Sequence, residues 1–104
     1  MLELTAEELE FLDSQRIGRL ATVSRDGWPH VMPVMYQVDA EGNLEFDADG
    51  VKLRNIEASG RAAMVVDSMG PKRGLAIQGS CTVIGPERAR LTPSHKFSWG
   101  LSPV

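Results

Sequence analysis

Between positions 16 and 48 the sequence reads RIGRLATVSRDGWPHVMPVMYQVDAEGNLEFDA, rich in Val, Ile, Met and aromatic residues and cut twice, at Asp26-Gly27 and at DAEGN. Short β-forming runs separated by tight turn residues predict three strands joined by two turns. The pattern resumes further on, where AAMVVD (62–67) is a short apolar strand and KRGLAIQGSCTVIG (72–85) a longer one. RARL and HKFSW are expected to end the sheet, with turns at Met69-Gly70-Pro71 and Gly85-Pro86. About six short antiparallel strands in a chain of 104 residues leave few solutions, because every unpaired edge invites pairing with another chain. Closure removes the edges, so the expected fold is mainly β, an antiparallel barrel or a strongly curled sheet. Six strands enclose little volume, and a large planar ligand would have to sit outside the barrel, in a groove shared with a second copy.

Two helices complete the pattern. Within positions 1–14, Thr5 and Glu8 form a capping box and Leu4 and Leu9 stand at the positions of a hydrophobic staple, which predicts a helix over 6–13. In DGVKLRNIEASGR the strand alternation is lost. Leu53 and Ile56 are three apart, Asp49 is a possible N-cap and Gly60 a C-terminal stop, which predicts a connecting helix over 50–58. At 104 residues one domain spanning 1–104 is expected, without a separate substrate domain. A formal net charge of −3 offers little attraction to nucleic acid or to anionic membranes. The start, MLELTAEELE, has acids where a secretory leader carries Lys or Arg, and no apolar run approaches a membrane span. A cytoplasmic location is therefore the default expectation. One cysteine, Cys81, and two histidines, His30 and His95, make a thin inventory for a metal site.

Several residues have both a functional and a structural explanation. Pro33 cannot donate to a ladder, so its strand must be at an edge, bulged, or facing something other than a neighbouring strand. A heterocycle with amide-like edges could take the missing strand's place, although from this residue alone an ordinary edge proline that discourages aggregation is the simpler explanation. Lys52 lies in the first turn of the second helix, where a cation is unfavourable unless an anion joins it. Helix amides with Lys52, and Arg54 nearby, make a phosphate seat, whereas Asp47 and Asp49 could instead pair with the lysine. Phe97 and Trp99 share one face of a strand, as core packing or as a flat wall against a ligand ring. Cys81 has no neighbour in sequence to lower its pKa and reads as a buried small residue. His30 and His95 lack a Ser-His-Asp constellation. Tyr36 could donate a proton but also fits a half-buried strand.

Taken together, RIGRLATVSRDGWPHVMPV (16–34), LEFDADGVKLRNI (44–56), RAAMVVD (61–67), RGLAIQG (73–79) and FSWGL (97–101) resemble the pyridoxamine 5'-phosphate oxidase-like, FMN-binding split barrels. The likeness is greatest to the branch using the deazaflavin cofactor F420. The resemblance implies a six-stranded antiparallel split β-barrel that forms a homodimer, with a cofactor groove at each side of the interface. It implies that the backbone of Met32, Pro33 and Val34 runs along the tricyclic ring and that Lys52 holds the phosphate. Asn55 completes the K..N signature and fixes the helix start. Gln78 would face the cofactor, and Trp99 would approach it from the partner. Three departures stand out. Asp47 replaces a small hydroxyl residue that would help hold the phosphate. Residues 85–90 form a short connection where relatives have a longer excursion around the substrate. The terminal Arg-x-His pattern of true pyridoxamine phosphate oxidases is lacking, so that activity is not expected.

The resulting expectation is an oxidoreductase in which reduced F420 gives a hydride to an electron-poor double bond of a small or planar substrate, the protein supplying position and electrostatics. No side chain stands out as proton donor; Tyr36 and His30 are the candidates, with solvent as the alternative. Arg54, Arg61, Lys72 and Arg73 are cations available to a long acidic cofactor tail. The alternatives are an FMN-binding oxidase or reductase of the same fold, a carrier or sensor that binds without turnover, and a barrel with no ligand. The last is favoured if Lys52 is paired with Asp47 or Asp49 and Trp99 is buried in the core.

Overall fold

The computed structural model describes residues 2–101, in the order α1 (Ala6–Ser14), β1 (Ile17–Val23), β2 (Pro29–Val38), β3 (Leu44–Asp47), α2 (Gly50–Ser59), β4 (Arg61–Met69), β5 (Lys72–Gly85) and β6 (Arg88–Trp99). The strands close into a barrel in the order β1-β2-β3-β6-β5-β4, with every pair antiparallel. The expected elements are all present, each helix one residue longer than predicted. RARL and HKFSW differ from expectation: they belong to one continuous strand, β6, that runs through Pro93. A register shift opposite Gln78 and Gly79 absorbs the proline, so what reads in sequence as a break is a bulge.

Alternation along each strand fills the interior. Leu20, Val34, Tyr36, Leu44, Phe46, Met64, Val66, Leu75, Ile77, Cys81 and Leu91 are buried inside, and Phe11 and Leu12 of α1 and Ile56 of α2 join this core. Each such side chain contributes about 1.5–3 kcal/mol by leaving water. The interior is tightly filled: a Cβ on Gly18 would meet Met64 Sδ at 2.6 Å.

Polar contacts fix α1. Thr5 Oγ1 accepts from the Glu8 amide at 3.1 Å, while Glu8 Oε1 accepts from the Thr5 amide at 2.7 Å and from Lys96 Nζ of β6 at 2.7 Å. Lys96 Nζ also donates to the Glu3 carbonyl oxygen at 3.0 Å. From below, the Tyr36 hydroxyl donates to the Leu12 carbonyl oxygen at 2.6 Å. Glu8 is buried, so loss of its carboxylate removes a helix cap and strands a cation at once. Glu8→Ala is expected to lower unfolding free energy by about 2 kcal/mol in urea titration, and Lys96→Met by about 1 kcal/mol, with the double variant less destabilised than the sum. Strict additivity would show that the two side chains act independently.

Candidate active site

β2 has ten residues and β3 four, and the two pair only over Tyr36–Val38 against Leu44–Phe46. From Pro29 to Met35 β2 pairs with β1 alone, leaving its other edge open. The β1–β2 register passes through Pro33, opposite Arg19, without a shift. Backbone N–H and C=O of one residue point to the same side of an antiparallel strand and alternate along it. Asp39 N–H donates to the Asn43 carbonyl oxygen at 2.9 Å on the β3 side, and the Trp28 carbonyl oxygen accepts from Ser24 N–H at 3.0 Å on the β1 side, so the odd-numbered Val31, Pro33 and Met35 turn their backbone groups to the open edge. The missing donor of Pro33 therefore costs the barrel nothing. Of the three residues expected along a ring, Met32 and Pro33 are exposed and Val34 has its side chain in the core.

The start of α2 is uncapped. Asp49 has N-cap geometry, yet its side chain makes no capping hydrogen bond, because its carboxylate accepts from Lys52 Nζ at 2.9 Å. The Lys52 ammonium, first by that hydrogen bond and then by its charge, holds the Asp49 carboxyl below its ordinary value. Gly50 has a left-handed φ of 58° ahead of the right-handed helix, and nothing lies within 4 Å of where its Cβ would be. A left-handed residue beside right-handed ones gathers successive N–H groups into an anion-binding concavity. The first amides of α2, which a helix leaves without intrahelical partners, lie beside the largely buried Lys52 side chain, an arrangement that could hold an anion. Asp47 turns out to be committed elsewhere: its carboxylate pairs with Arg88 at 2.9 Å, and Arg88 also donates to Gln37 Oε1. The negative charge of Asp47 is thus balanced by an arginine across the β3–β6 ladder and not by Lys52. Asn55 lies within α2, not at its start; it is buried and donates to Thr22 Oγ1 of β1 at 3.1 Å, tying the helix to the barrel.

Gln78 and Trp99 stand on the outer face of β5 and β6. The ladder registers align two rows across five strands, one running Val31, Ala21, Ala63, Gln78, His95 and the other Pro33, Arg19, Val65, Ala76, Phe97. Trp99 lies opposite Gly74, where a Cβ would come within 1.9 Å of its ring, and its centroid is 5.9 Å from that of Phe97. Trp99 is therefore half-buried on the outside of the sheet, not in the core. A groove of about 830 Å³ crosses one end of this face, lined among others by Pro29, Ala63, Arg61, Gln78, Ser94 and His95. Arg54 lies by a smaller recess of about 430 Å³ with Arg25 and Asp26. The chain thus carries two sets of residues, the β2 edge with the α2 start and the Gln78–Trp99 face, aimed in different directions around the barrel.

Tyr36 is not available as a proton donor. It is buried with its hydroxyl bound to the Leu12 carbonyl, and burial raises its pKa strongly. His30 lies opposite Thr22, on the same side of β2 as the inward-facing Val34 and Tyr36, and its Nδ1 is buried without a hydrogen-bond partner among the described residues. Sequence reasoning passed over His95 as lacking a triad; its place in the groove follows from a bulge that only Pro93, in a strand, hinted at. Among the described residues no group of three His, Cys, Asp or Glu is placed to hold a metal, and no helix is long and apolar enough to cross a membrane.

A six-stranded antiparallel barrel whose β2 edge is left open beyond a short β3 is the architecture of the flavin-binding split barrels. The chain belongs to the pyridoxamine 5'-phosphate oxidase family, whose N-terminal model matches residues 4–97. It is 31% identical over 121 aligned positions, covering 96% of this chain and 85% of the relative, to the 5a,11a-dehydrotetracycline/5a,11a-dehydrooxytetracycline reductase of Streptomyces rimosus. In fold it is similar to a conserved hypothetical protein of Mycobacterium tuberculosis (TM-score 0.79, 22% identity, 95% of this chain and 86% of that one). An FAD-binding protein of Mesorhizobium loti shares the fold as well (TM-score 0.76, 21% identity, 91% of each chain). These likenesses place it among the oxidoreductase-like members of that family.

Burial raises the Cys81 thiol from 9.0 to about 11, which suits a structural residue and not a nucleophile. Because the native value is the higher one, its contribution is fully present below pH 9 and is lost as pH rises towards 11, an effect on the order of 2 kcal/mol. Urea midpoints measured at pH 8 and pH 10.5 should fall more in the natural protein than in Cys81→Ala; equal falls would remove Cys81 as the cause.

Proposed function

We propose that this protein is a reductase of the flavin/deazaflavin class that uses F420 and reduces an electron-poor double bond of a planar, polycyclic substrate. The observation that carries the reading is the anion seat at the start of α2, Lys52 beside free helix amides and a left-handed Gly50, next to a strand edge left unpaired from Pro29 to Met35. Lys52 and the α2 amides would bind the cofactor phosphate, and the backbone of Met32, Pro33 and Val34 would orient the ring through the carbonyls and amides of the open edge. When bound, F420 supplies the hydride. Likeness to a dehydrotetracycline reductase over 96% of the chain supports both the direction of electron flow and a fused-ring substrate. FMN would use the same seat, and a fold shared with an FAD-binding protein keeps an FMN-dependent oxidase or reductase as the second reading. Arg54, two residues beyond Lys52 and beside a recess shared with Arg25, favours the longer acidic tail of F420.

A second copy completes the site in this reading. Pro33 and Trp99 face apart on one barrel, so a flat ring against the β2 edge can be covered by Trp99 and approached by Gln78 only from a partner. The face that would meet it is apolar for a surface: Val31 is 62% exposed, Met35 67%, Ile17 51% and Phe97 68%. The charges at its centre, Arg19 and Asp67, already pair with each other at 2.7 Å. Patches of this kind mark interfaces.

Two sets of measurements test this. Titrated by fluorescence, F420 should bind more tightly than FMN; Lys52→Ala should weaken F420 binding about tenfold, and Asp49→Asn should strengthen it by removing a competitor for the lysine. Unchanged affinity in Lys52→Ala would take the seat out of the site. Light scattering should give a dimer for the natural protein, and Phe97→Glu should produce a monomer that no longer binds; a monomer that binds equally well would show the site to be complete in one chain.

A further inference from the structure

The pairing of β6 with β5 slips between Val83 and Gly85, next to the hairpin, and again in mid-strand between Gln78 and Gly79. Gln78 stands opposite His95 and Gly79 opposite Pro93, which leaves Ser94 as the extra residue. Two residues allow the mid-strand slip. Pro93 has no N–H to lose from the ladder. Gly79 lets β6 approach so closely that a Cβ there would lie 1.9 Å from the Thr92 carbonyl oxygen. Bulges of this kind re-aim side chains, and this one sets Ser94 and His95 together at the rim of the 830 Å³ groove.

Hydrogen bonds then fix the ring. Ser94 Oγ donates to the Gln78 carbonyl oxygen at 3.2 Å and lies 3.1 Å from His95 Nδ1. A hydroxyl has one proton, and with that proton on the carbonyl the imidazole must supply the hydrogen at Nδ1. Nε2 is left as the nitrogen that gains and loses a proton, on an exposed ring among the groove's lining residues. Arg61 is the charged residue among those lining the groove. Tyr36 is sealed in the core and His30 faces inward, so His95 is the titratable side chain among the groove's lining residues.

We propose that His95 delivers from Nε2 the proton that completes reduction of a substrate held in this groove, with Ser94 as its positioning residue. The proposal rests on the reading of the barrel as an F420-dependent reductase. With F420 bound as hydride donor, one carbon of a polarised C=C bond would gain the hydride, the π pair would move to the other carbon, and His95 would give that carbon the proton from Nε2–H. Two C–H bonds form and one π bond is lost. The remaining proton of the oxidised cofactor passes to solvent, and solvent returns one to Nε2, leaving the ring as it began.

The test has an arm that needs no cofactor. Long-range ¹H–¹⁵N spectra of the full-length protein above neutral pH should show His95 as the Nδ1–H tautomer, shifting towards Nε2–H in Ser94→Ala; Nε2–H in the natural protein would overturn the proposal. In the second arm, His95→Gln should bind F420 within about twofold of the natural protein. Its rate of reduced-F420 oxidation by 5a,11a-dehydrooxytetracycline should fall about 100-fold and lose the decline at alkaline pH. An unchanged rate and pH profile would overturn it too. Failure of the natural protein to bind F420 would count against the cofactor reading alone, because the tautomer is measured without it.

Discussion

A ten-residue strand beside a four-residue one cannot be paired along its whole length, and the rest of the structure follows from that mismatch between β2 and β3. After Asp47 the chain leaves the sheet and begins α2 three residues later, so the helix starts close to where β2 loses its neighbour. An unpaired strand edge and a helix N-terminus are the two places where a backbone offers hydrogen bonds it has not used. Here they lie together, and Pro33 sits where its lack of a donor harms no ladder. The same edge could nucleate aggregation if left bare. A ligand or a second copy over it meets both the chemical and the protective need.

Both acids near the helix start have cationic partners. Asp47 and Asp49 would together repel an anion, yet Arg88 neutralises the first from β6, and Lys52 engages the second through a hydrogen bond that lies mostly at the surface. Surface ion pairs are worth less than about 1 kcal/mol. A doubly charged phosphate that also accepts from several helix amides competes well against one carboxylate. Pairing of Lys52 with Asp49 is thus the resting arrangement expected of an anion site with a weak internal occupant. It meets half of what a ligand-free barrel would require, while Trp99 on the outer surface fails the other half.

Much of the fold was legible because local chemistry decided it. Thr5 and Glu8 announced α1, Asp26-Gly27 the first hairpin, and alternation the strands. What misled were residues whose roles are set by distant partners. Asp49 looks like an N-cap until Lys52 takes its carboxylate. Tyr36 looks half-exposed until α1, from 24 positions earlier in the chain, lays the Leu12 carbonyl over it. Pro93 looks like the end of a strand because Gly79, which makes room for it, lies on another strand. The family motifs point to the β2 edge and the start of α2, where residues would act through their own backbone or charge. A site divided between two faces of a barrel leaves no spacing signal in one sequence.

The barrel interior has no room for chemistry: Phe46, Leu44, Leu75 and Leu91 are fully buried, and even Gly18 is closed in by Met64. Variation of function has to occur on the outside, where an alternating strand spends half its side chains without disturbing the core. A regular β6 would keep that alternation fixed, with Ser94 taking a ladder position and the residues after it facing the opposite way. One extra residue shifts the phase, so that His95, Phe97 and Trp99 all turn outward beside Gln78, Ala76 and Gly74 while Pro93 and Leu91 remain inside. The bulge therefore converts the last third of one strand from core to working surface without lengthening the chain. Gly85 closes β5 and Arg88 opens β6, so the connection expected over 85–90 is the turn Pro86-Glu87 alone, and outward side chains near it come from the strand itself.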